Sequence, residues 1–171
     1  MNYQEFLKQK EFTLQNFGFD VEDESLNPML FDFQKAIVKW ALKRGKSAIF
    51  ADCGLGKTPM QLEWANQICK FRKGKVLILA PLAVSHQTKQ EGVKFGIEVN
   101  IIEKQEDVKA GINITNYEKI HKFDVSIFDG VVLDESSILK SFTGKTKNAL
   151  IDLFQCTDFK LACSATPAPN D

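Results

Sequence analysis

The chain has 171 residues, close to one domain at about 150 residues per domain. Hydrophobic residues make up 44% of it, enough for one sizeable core, so wholesale disorder is not expected. Lysine and arginine together number 22, as do aspartate and glutamate, so no overall positive charge points to nucleic acid. The longest apolar run, residues 76–84, is too short to span a bilayer.

Cysteine spacing and the start of the chain bear on the compartment. The four cysteines are scattered and form no CxxC pair, which disfavours a zinc site or a disulfide framework and favours a reducing compartment. The opening MNYQEFLKQK lacks the apolar segment of a signal peptide. We therefore expect a cytoplasmic protein without a membrane partner.

The predicted elements alternate along the chain. Residues before Asn27 are polar with interleaved aromatics, which predicts a short helix followed by an irregular acidic loop. An amphipathic helix is predicted over residues 32–44, with Phe33, Ile37, Trp40 and Ala41 on its apolar side and Gly45 at its end. Six short apolar runs then predict strands at residues 47–51, 75–80, 99–102, 111–115, 130–133 and 160–163. Three further helices are predicted at residues 57–70, 84–95 and 145–154.

Strands that alternate with helices predict an α/β fold, with a mostly parallel sheet covered by helices on both faces. Ligands of such folds bind at the carboxyl ends of the strands. We divide the chain into a polar, aromatic extension over residues 1–26 and one domain over residues 27–171. Trp40 and Trp64 both lie on helical apolar stripes and are predicted to be core residues.

The most specific motif is ADCGLGKT, residues 51–58, which follows a predicted strand and opens a predicted helix, as a P-loop requires. Its glycines let the backbone approach phosphates, and the N–H groups at the helix N-terminus point at the anion. Lys57 would place a positive charge on the β- and γ-phosphates, and Thr58 would offer a hydroxyl to Mg²⁺. The predicted nucleotide-binding residues of the loop are Gly54, Leu55, Gly56, Lys57 and Thr58. The alternative is a chance glycine-rich turn.

A second motif completes such a site. The apolar strand at residues 130–133 ends in Asp134 and Glu135, an arrangement that is costly unless a cation or water receives the carboxylates. Asp134 is predicted to hold Mg²⁺ together with Thr58, and Glu135 to polarise the attacking water as general base. With Lys57 these two carboxylates are the predicted catalytic residues, and ATP and Mg²⁺ the predicted cofactors. The alternative is a strand that ends in a solvated turn.

These motifs resemble the first RecA-like lobe of a superfamily II helicase, nearest the Snf-type chromatin-remodeller branch and its phage-type members. The resemblance covers the chain from about Asn27 to Asp171. It implies a RecA-like P-loop NTPase lobe of a nucleic-acid-dependent ATPase, with DNA, and double-stranded DNA in particular, as the favoured partner. LFDFQ, residues 30–34, resembles the adenine-reading Q motif, so Gln34 is implied to select ATP, because an amide can both donate to and accept from the adenine edge.

Two strand ends resemble motifs that contact nucleic acid in relatives. LAPLAV at residues 79–84 resembles motif Ia, and ITNYE at residues 114–118 resembles the next strand-end motif. The segment at residues 138–146 resembles a remodeller-type extension. Lys140, Lys145 and Lys147 add three positive charges here, which is consistent with contacts to a nucleic-acid backbone. The implied nucleic-acid residues are Pro81, Ser85, His86, Gln87, Thr115, Asn116, Tyr117, Lys140 and Lys145. For each motif a purely structural role is the alternative.

The last motif, SATPAPN at residues 164–170, resembles motif III, so Ser164, Ala165 and Thr166 are implied to couple the nucleotide state to the nucleic-acid grip. Ser137 stands where relatives carry His or Asp, which leaves coupling through that position open.

Superfamily II motors use two RecA-like lobes, and the second supplies arginines to the γ-phosphate. Arg44 and Arg72 are the only arginines of this chain, and neither lies in such a motif. We therefore expect a second lobe, in the same or another chain, and slow or no turnover without it. A non-catalytic ATP- or DNA-binding module and a P-loop NTPase unrelated to nucleic acid are the alternatives.

Overall fold

Six parallel strands form one sheet in the computed structural model, which describes residues 16–141 and 144–165. The strands are β1 Lys46–Phe50, β2 Lys75–Ala80, β3 Val99–Ile101, β4 Gly111–Asn116, β5 Gly130–Leu133 and β6 Phe159–Ser164. Their order across the sheet is β1-β6-β5-β2-β4-β3, and every neighbouring pair is parallel. The predicted α/β fold is confirmed.

Helices connect the strands. The α-helices are α1 Asp32–Arg44, α2 Lys57–Arg72, α3 Ser85–Lys94 and α4 Gly144–Leu153. Short 3-10 turns lie at Asp23–Ser25, Gln105–Asp107, Tyr117–Lys122, Val125–Ile127 and Ser136–Lys140. Each predicted strand and internal helix is present, and the largest boundary difference is at the end of α2, which runs to Arg72 rather than Lys70. The helix predicted near the start of the chain falls mostly on residues outside the described part. None of the described helices is both long and apolar enough to cross a membrane.

The sheet carries a hydrophobic core on each face. In β2, Val76 and Ile78 point to the face that α1, α2 and α3 cover, whereas Leu77 and Leu79 point to the face beneath the 3-10 turns and α4. All four side chains are fully buried. Such alternation follows from the two-residue period of a strand, and each buried aliphatic side chain stabilises the fold by about 1.5–3 kcal/mol.

The apolar stripe of α1 differs from the predicted one. The buried residues are Gln34, Val38, Ala41 and Leu42. Trp40 is 46% exposed, so its prediction as a core residue is wrong, whereas Trp64 on α2 is fully buried as predicted. Of the four predicted residues, Ala41 is buried and Ile37 packs against the core, whereas Phe33 and Trp40 are exposed. At 100° per residue Trp40 falls on the side of α1 opposite Val38.

Residues before α1 pack against this domain. Asn27 donates its side-chain amide to the carbonyl of Phe95, at 2.6 Å, and its backbone N–H to Glu63 Oε1, at 3.2 Å. The ring of Phe19 stacks on that of Phe71 with 3.9 Å between centroids. The described end of the extension is therefore part of the same packed unit, while a domain boundary at residues 26 and 27 stays a prediction.

Candidate active site

The predicted P-loop follows β1 and ends at the first turn of α2. Gly54 and Gly56 have φ angles of 85° and 77°, in the left-handed region that glycine adopts without a Cβ penalty. Gly56 is the N-cap residue of α2, so Lys57 and Thr58 stand in the first turn, where backbone N–H groups lack helical partners. A loop of this shape offers its N–H groups to an anion. Cys53 in the loop is exposed.

Gln34 lies against this loop. Its side chain is buried, Oε1 accepts the backbone N–H of Phe31 at 3.0 Å, and Nε2 donates to the carbonyl of Leu55 at 3.1 Å. A Cβ added to Gly56 would stand 2.1 Å from Gln34 Nε2. The structure thus brings the Gln34 amide to the predicted P-loop, and its role in adenine recognition stays a prediction.

Glu135 occupies the centre of the site. Its Oε2 forms an ion pair with Lys57 Nζ at 3.3 Å, and its Oε1 accepts hydrogen bonds from Ser137 Oγ at 2.8 Å and Ser164 Oγ at 3.2 Å. The order β1-β6-β5 explains the meeting, because the loop after β1, Ser164 and Glu135 all lie at the carboxyl ends of three adjacent parallel strands. Both oxygens of the carboxylate are therefore oriented by neighbouring side chains.

The backbone of Glu135 is in an uncommon conformation. Its φ and ψ angles are 50° and 53°, in the left-handed region that a residue with a Cβ seldom adopts. Such conformations cost on the order of 1–3 kcal/mol and cluster at functional sites. The turn aims the carboxylate of Glu135 towards Lys57.

The two acidic residues have opposite pKa shifts. Burial raises the pKa of the Asp134 carboxyl, and the Gln61 amide and the Lys57 ammonium oppose that effect only in part. Partial burial acts to raise the pKa of Glu135 as well, but its hydrogen bonds with Ser137 and Lys57 outweigh it and hold that pKa below its usual value. Divergent pKa values in adjacent carboxyl groups are typical of sites where one group binds and the other handles a proton.

Asp134 is held by its backbone. Its N–H donates to the carbonyl of Leu79 at 2.8 Å, and its carbonyl accepts a hydrogen bond from Tyr117 Oη at 2.8 Å. The residue is 7% exposed, and Lys57 pairs with the neighbouring Glu135 rather than with it. The buried Asp134 carboxylate offers hard oxygen donors and forms no ion pair with a basic side chain among the described residues.

The residues fit Mg²⁺. Thr58 and Asp134 supply the hard oxygen donors that this ion prefers. Next to Asp134 lies Gln61, fully buried, whose Oε1 and Nε2 have no hydrogen-bond partner among the described residues. The unpaired amide of Gln61 beside the buried carboxylate of Asp134 is what we expect of a site that a bound cation completes.

The residues predicted to contact nucleic acid divide into exposed and buried groups. His86, Gln87, Lys140 and Lys145 are exposed, and Pro81 is half-buried. Ser85, Thr115, Asn116 and Tyr117 are buried. Asn116 caps the following turn by accepting the N–H of Lys119, and the Tyr117 hydroxyl is bonded to Asp134. In this conformation these buried side chains pack within the domain and are not available to a nucleic acid at the surface.

A pocket of about 110 Å³ nevertheless brings the two strand-end motifs together, because Ser85 and His86 line it with Thr115 and Asn116. Glu103 lines it as well and is paired with Lys119. A second, larger groove of about 670 Å³ lies between the Tyr117–Lys122 turn and α4. Lys145 lines that groove. Of the predicted coupling residues, Ser164 contacts Glu135, Ala165 is the next described residue and Thr166 lies outside the described residues.

Solved structures provide the comparison. The UvsW helicase of bacteriophage T4 superposes with a TM-score of 0.69 at 17% identity, over 97% of this chain and 61% of that one. The SWI2/SNF2 ATPase core of Sulfolobus solfataricus, solved with double-stranded DNA, gives 0.67 at 21%, over 86% and 34%. The Hef helicase domain of Pyrococcus furiosus gives 0.62 at 16%, over 81% and 33%.

This chain shares its fold with part of each of these helicase and ATPase structures. It spans less than two thirds of the length of each of those proteins. No family model and no curated protein matches its sequence.

Sequence reasoning missed one residue of the site, Gln61, and the contact that Tyr117 makes with Asp134. Gln61 belongs to no recognised motif. Its position four residues, or about one helical turn, after Lys57 was the available sign that both lie on the same side of α2. Tyr117 was assigned to the nucleic-acid side, and the large apolar area of a tyrosine ring at a strand end was the available sign that it would be buried.

Proposed function

We propose that the chain is the ATP-binding lobe of a nucleic-acid-dependent ATPase of helicase or translocase type, which acts on double-stranded DNA. In this proposal it hydrolyses ATP with Mg²⁺ when a second lobe completes the site. The observation that carries the proposal is the meeting of Lys57, Glu135 and Ser164 beside a P-loop, at the carboxyl ends of adjacent strands.

The chemistry follows from the charges. ATP draws Lys57 away from Glu135 and onto its β- and γ-phosphates, and the backbone N–H groups of the loop hold the remaining phosphate oxygens. Thr58 and Asp134 would hold Mg²⁺, whose charge offsets the charge of the phosphates. Glu135, released from Lys57 but still held by Ser137 and Ser164, then accepts a hydrogen bond from the attacking water.

The arginines support a need for a second lobe. Arg44 and Arg72 end α1 and α2, so Arg72 stands at the opposite end of α2 from the P-loop, where it pairs with Asp158. Neither is placed to reach the γ-phosphate of a nucleotide at Lys57. An arginine supplied to such a site raises the rate by about 10³–10⁵ in related systems, so we expect this chain to bind ATP and to hydrolyse it slowly or not at all by itself.

The proposal of DNA as the partner draws support from the Sulfolobus protein, which was solved with double-stranded DNA, and from the restriction-modification enzyme LlaGI, solved with a DNA substrate mimic. Exposed His86, Gln87, Lys140 and Lys145 offer donors to a phosphate backbone. A non-catalytic ATP- or DNA-binding module is the second candidate. The observation that favours it is that neither Arg44 nor Arg72 is placed to reach the γ-phosphate.

The test measures ATP hydrolysis and DNA binding in parallel. Hydrolysis is followed with and without double-stranded DNA, and Glu135→Gln is the blank. DNA affinity is followed across a range of salt concentrations. We expect slow or no turnover and an affinity for DNA that falls steeply as salt rises. A chain that binds ATP but shows no salt-dependent DNA affinity would refute the nucleic-acid part of the proposal.

A further inference from the structure

Gln61 is a buried polar residue whose hydrogen-bonding capacity the described residues do not meet. It lies on α2 between the core residues Met60 and Leu62, and its side chain is fully buried. Neither Oε1 nor Nε2 has a hydrogen-bond partner among the described residues. Leaving a buried polar group without a hydrogen bond lowers the stability of a fold. Methionine, which has a similar length and shape, would remove that cost.

Gln67, six residues further along the same helix, shows the contrast. It too is buried, but its Nε2 donates to the carbonyl of Ser25 at 2.7 Å and to Glu63 Oε1 at 2.7 Å. The fold therefore satisfies one buried amide of α2 and leaves the other unsatisfied. The unsatisfied one is the amide nearer the P-loop.

Gln61 faces Asp134. Val132 of β5 packs in the core beneath α2, and Asp134 stands two residues further on, so it projects from the same face of the sheet. The Gln61 amide lies close enough to the Asp134 carboxyl to interact with it. Cys163 of β6 also lies nearby, and burial, more than the charge of Asp134, raises its pKa.

We propose that Gln61 is a positioning residue for Asp134, and that its amide donates a hydrogen bond to the Asp134 carboxylate when that carboxylate holds Mg²⁺. The inference rests on the proposed function. Carboxylates that bind metals are themselves held by hydrogen bonds from neighbouring groups, and these neighbours tune metal affinity. A neutral amide can orient the carboxylate without neutralising the charge that attracts the cation, whereas a lysine at this position would compete with the metal.

Gln61→Met separates this role from a structural one. Without nucleotide and metal, the variant should be at least as stable as the wild type to urea, because it loses an unsatisfied polar group. Its affinity for ATP in EDTA should be unchanged. The increase in ATP affinity that Mg²⁺ produces should fall by about 10- to 100-fold, the effect usual for a residue that orients a metal ligand. Gln67→Met is the matched control and should behave in the opposite way, with lower stability and the full effect of Mg²⁺.

Each outcome decides. An unchanged effect of Mg²⁺ in Gln61→Met, with wild-type ATP binding intact, overturns the inference and leaves the proposed function standing. A variant that is markedly less stable than the wild type also overturns it, because Gln61 would then have partners within the fold. If the wild type does not bind ATP, or if Lys57→Ala binds ATP as well as the wild type does, the proposed function fails, and the inference fails with it.

Discussion

The hydroxyl of Tyr117 donates a hydrogen bond to the backbone carbonyl of Asp134, with 2.8 Å between the two oxygens. Tyr117 begins the turn after β4, and Asp134 begins the turn after β5. The bond therefore ties a strand end predicted to face nucleic acid to the strand end that carries the two carboxylates. A shift of the Tyr117–Lys122 turn would be felt directly at the backbone of Asp134.

The first prediction tests that bond. Tyr117→Phe keeps the ring and leaves the carbonyl of Asp134 without this donor in a buried place. We expect the free energy of unfolding to fall by about 1–3 kcal/mol in urea denaturation. Ser25→Ala is the control, because its hydroxyl also donates to a carbonyl at 2.8 Å, but at the surface. A loss in Tyr117→Phe no larger than in Ser25→Ala would contradict the account.

The second prediction concerns the contact between Gln34 and the P-loop. Gly54 and Gly56 both have a positive φ, so alanine at either position should cost about 1–2 kcal/mol of stability through backbone strain. Only at Gly56 does the new methyl group meet another side chain, Gln34, and this overpacking should add about 1–3 kcal/mol.

A double-mutant cycle checks the cause. In the background of Gln34→Ala, the cost of Gly56→Ala should fall to that of Gly54→Ala, since space around Gly54 is open. An equal cost of Gly56→Ala in both backgrounds would mean that the loop glycine and the Q-motif amide do not interact.

The third prediction concerns the pH dependence of stability. Because burial raises the pKa of Asp134, its carboxylate lowers the stability of the fold at neutral pH. Asp134→Asn should therefore unfold at a higher urea concentration than the wild type at pH 7. The difference in stability between the two proteins should disappear as the pH falls below the ordinary pKa of aspartate. Asp134 of the wild type is then protonated in both the folded and the unfolded state.

Asp158→Asn is the control for this measurement. Asp158 is an exposed carboxylate paired with Arg72, and such pairs contribute on the order of 0–1 kcal/mol. We expect this variant to change stability little at either pH. Equal effects of the two substitutions at neutral pH would show that burial of Asp134 is not the cause.

The fourth prediction concerns the ion pair between Lys57 and Glu135. Glu135→Gln keeps an acceptor for Ser137 and Ser164 but removes the charge that holds Lys57. Affinity for ATP with Mg²⁺ should rise about two- to fivefold, the effect of a partly exposed ion pair worth up to about 1 kcal/mol. Calorimetric titration at pH 7 measures it, while turnover in the completed motor should be lost.

Glu91→Gln breaks an exposed ion pair with Lys94 at the end of α3 and serves as the control. It should leave ATP affinity unchanged. A fall in affinity in Glu135→Gln, or an equal rise in both variants, would indicate that Glu135 does not compete with the phosphates for Lys57.

The sequence predicted the strands and helices well because each strand is a short apolar run bounded by breaks in the pattern, as at Lys75–Ala80. The P-loop and the acidic pair were also readable, since their chemistry requires particular side chains in sequence. The phase of α1 was not. Phe33 and Trp40 are large and apolar, and nothing local shows that helix packing would bury Gln34 and Val38 instead.

The missed parts of the site depend on contacts between distant segments. Gln61 is one polar residue on a buried helix until β5 brings Asp134 opposite it. The hydrogen bond between Ser137 and Glu135 depends on a left-handed backbone at Glu135, which no residue type there predicts. Ser137 does take part at the site, through its hydrogen bond to the carboxylate of Glu135. Its part in coupling stays a prediction.

The central claim is that Lys57 and its loop bind the phosphates of ATP. Calorimetric titration of ATP with Mg²⁺ into the wild type and into Lys57→Ala tests it most directly. Lys89→Ala, at an exposed position of α3, is the control. We expect binding by the wild type and by Lys89→Ala and none by Lys57→Ala, with all three proteins folded. Retained affinity for ATP in a folded Lys57→Ala chain would contradict it.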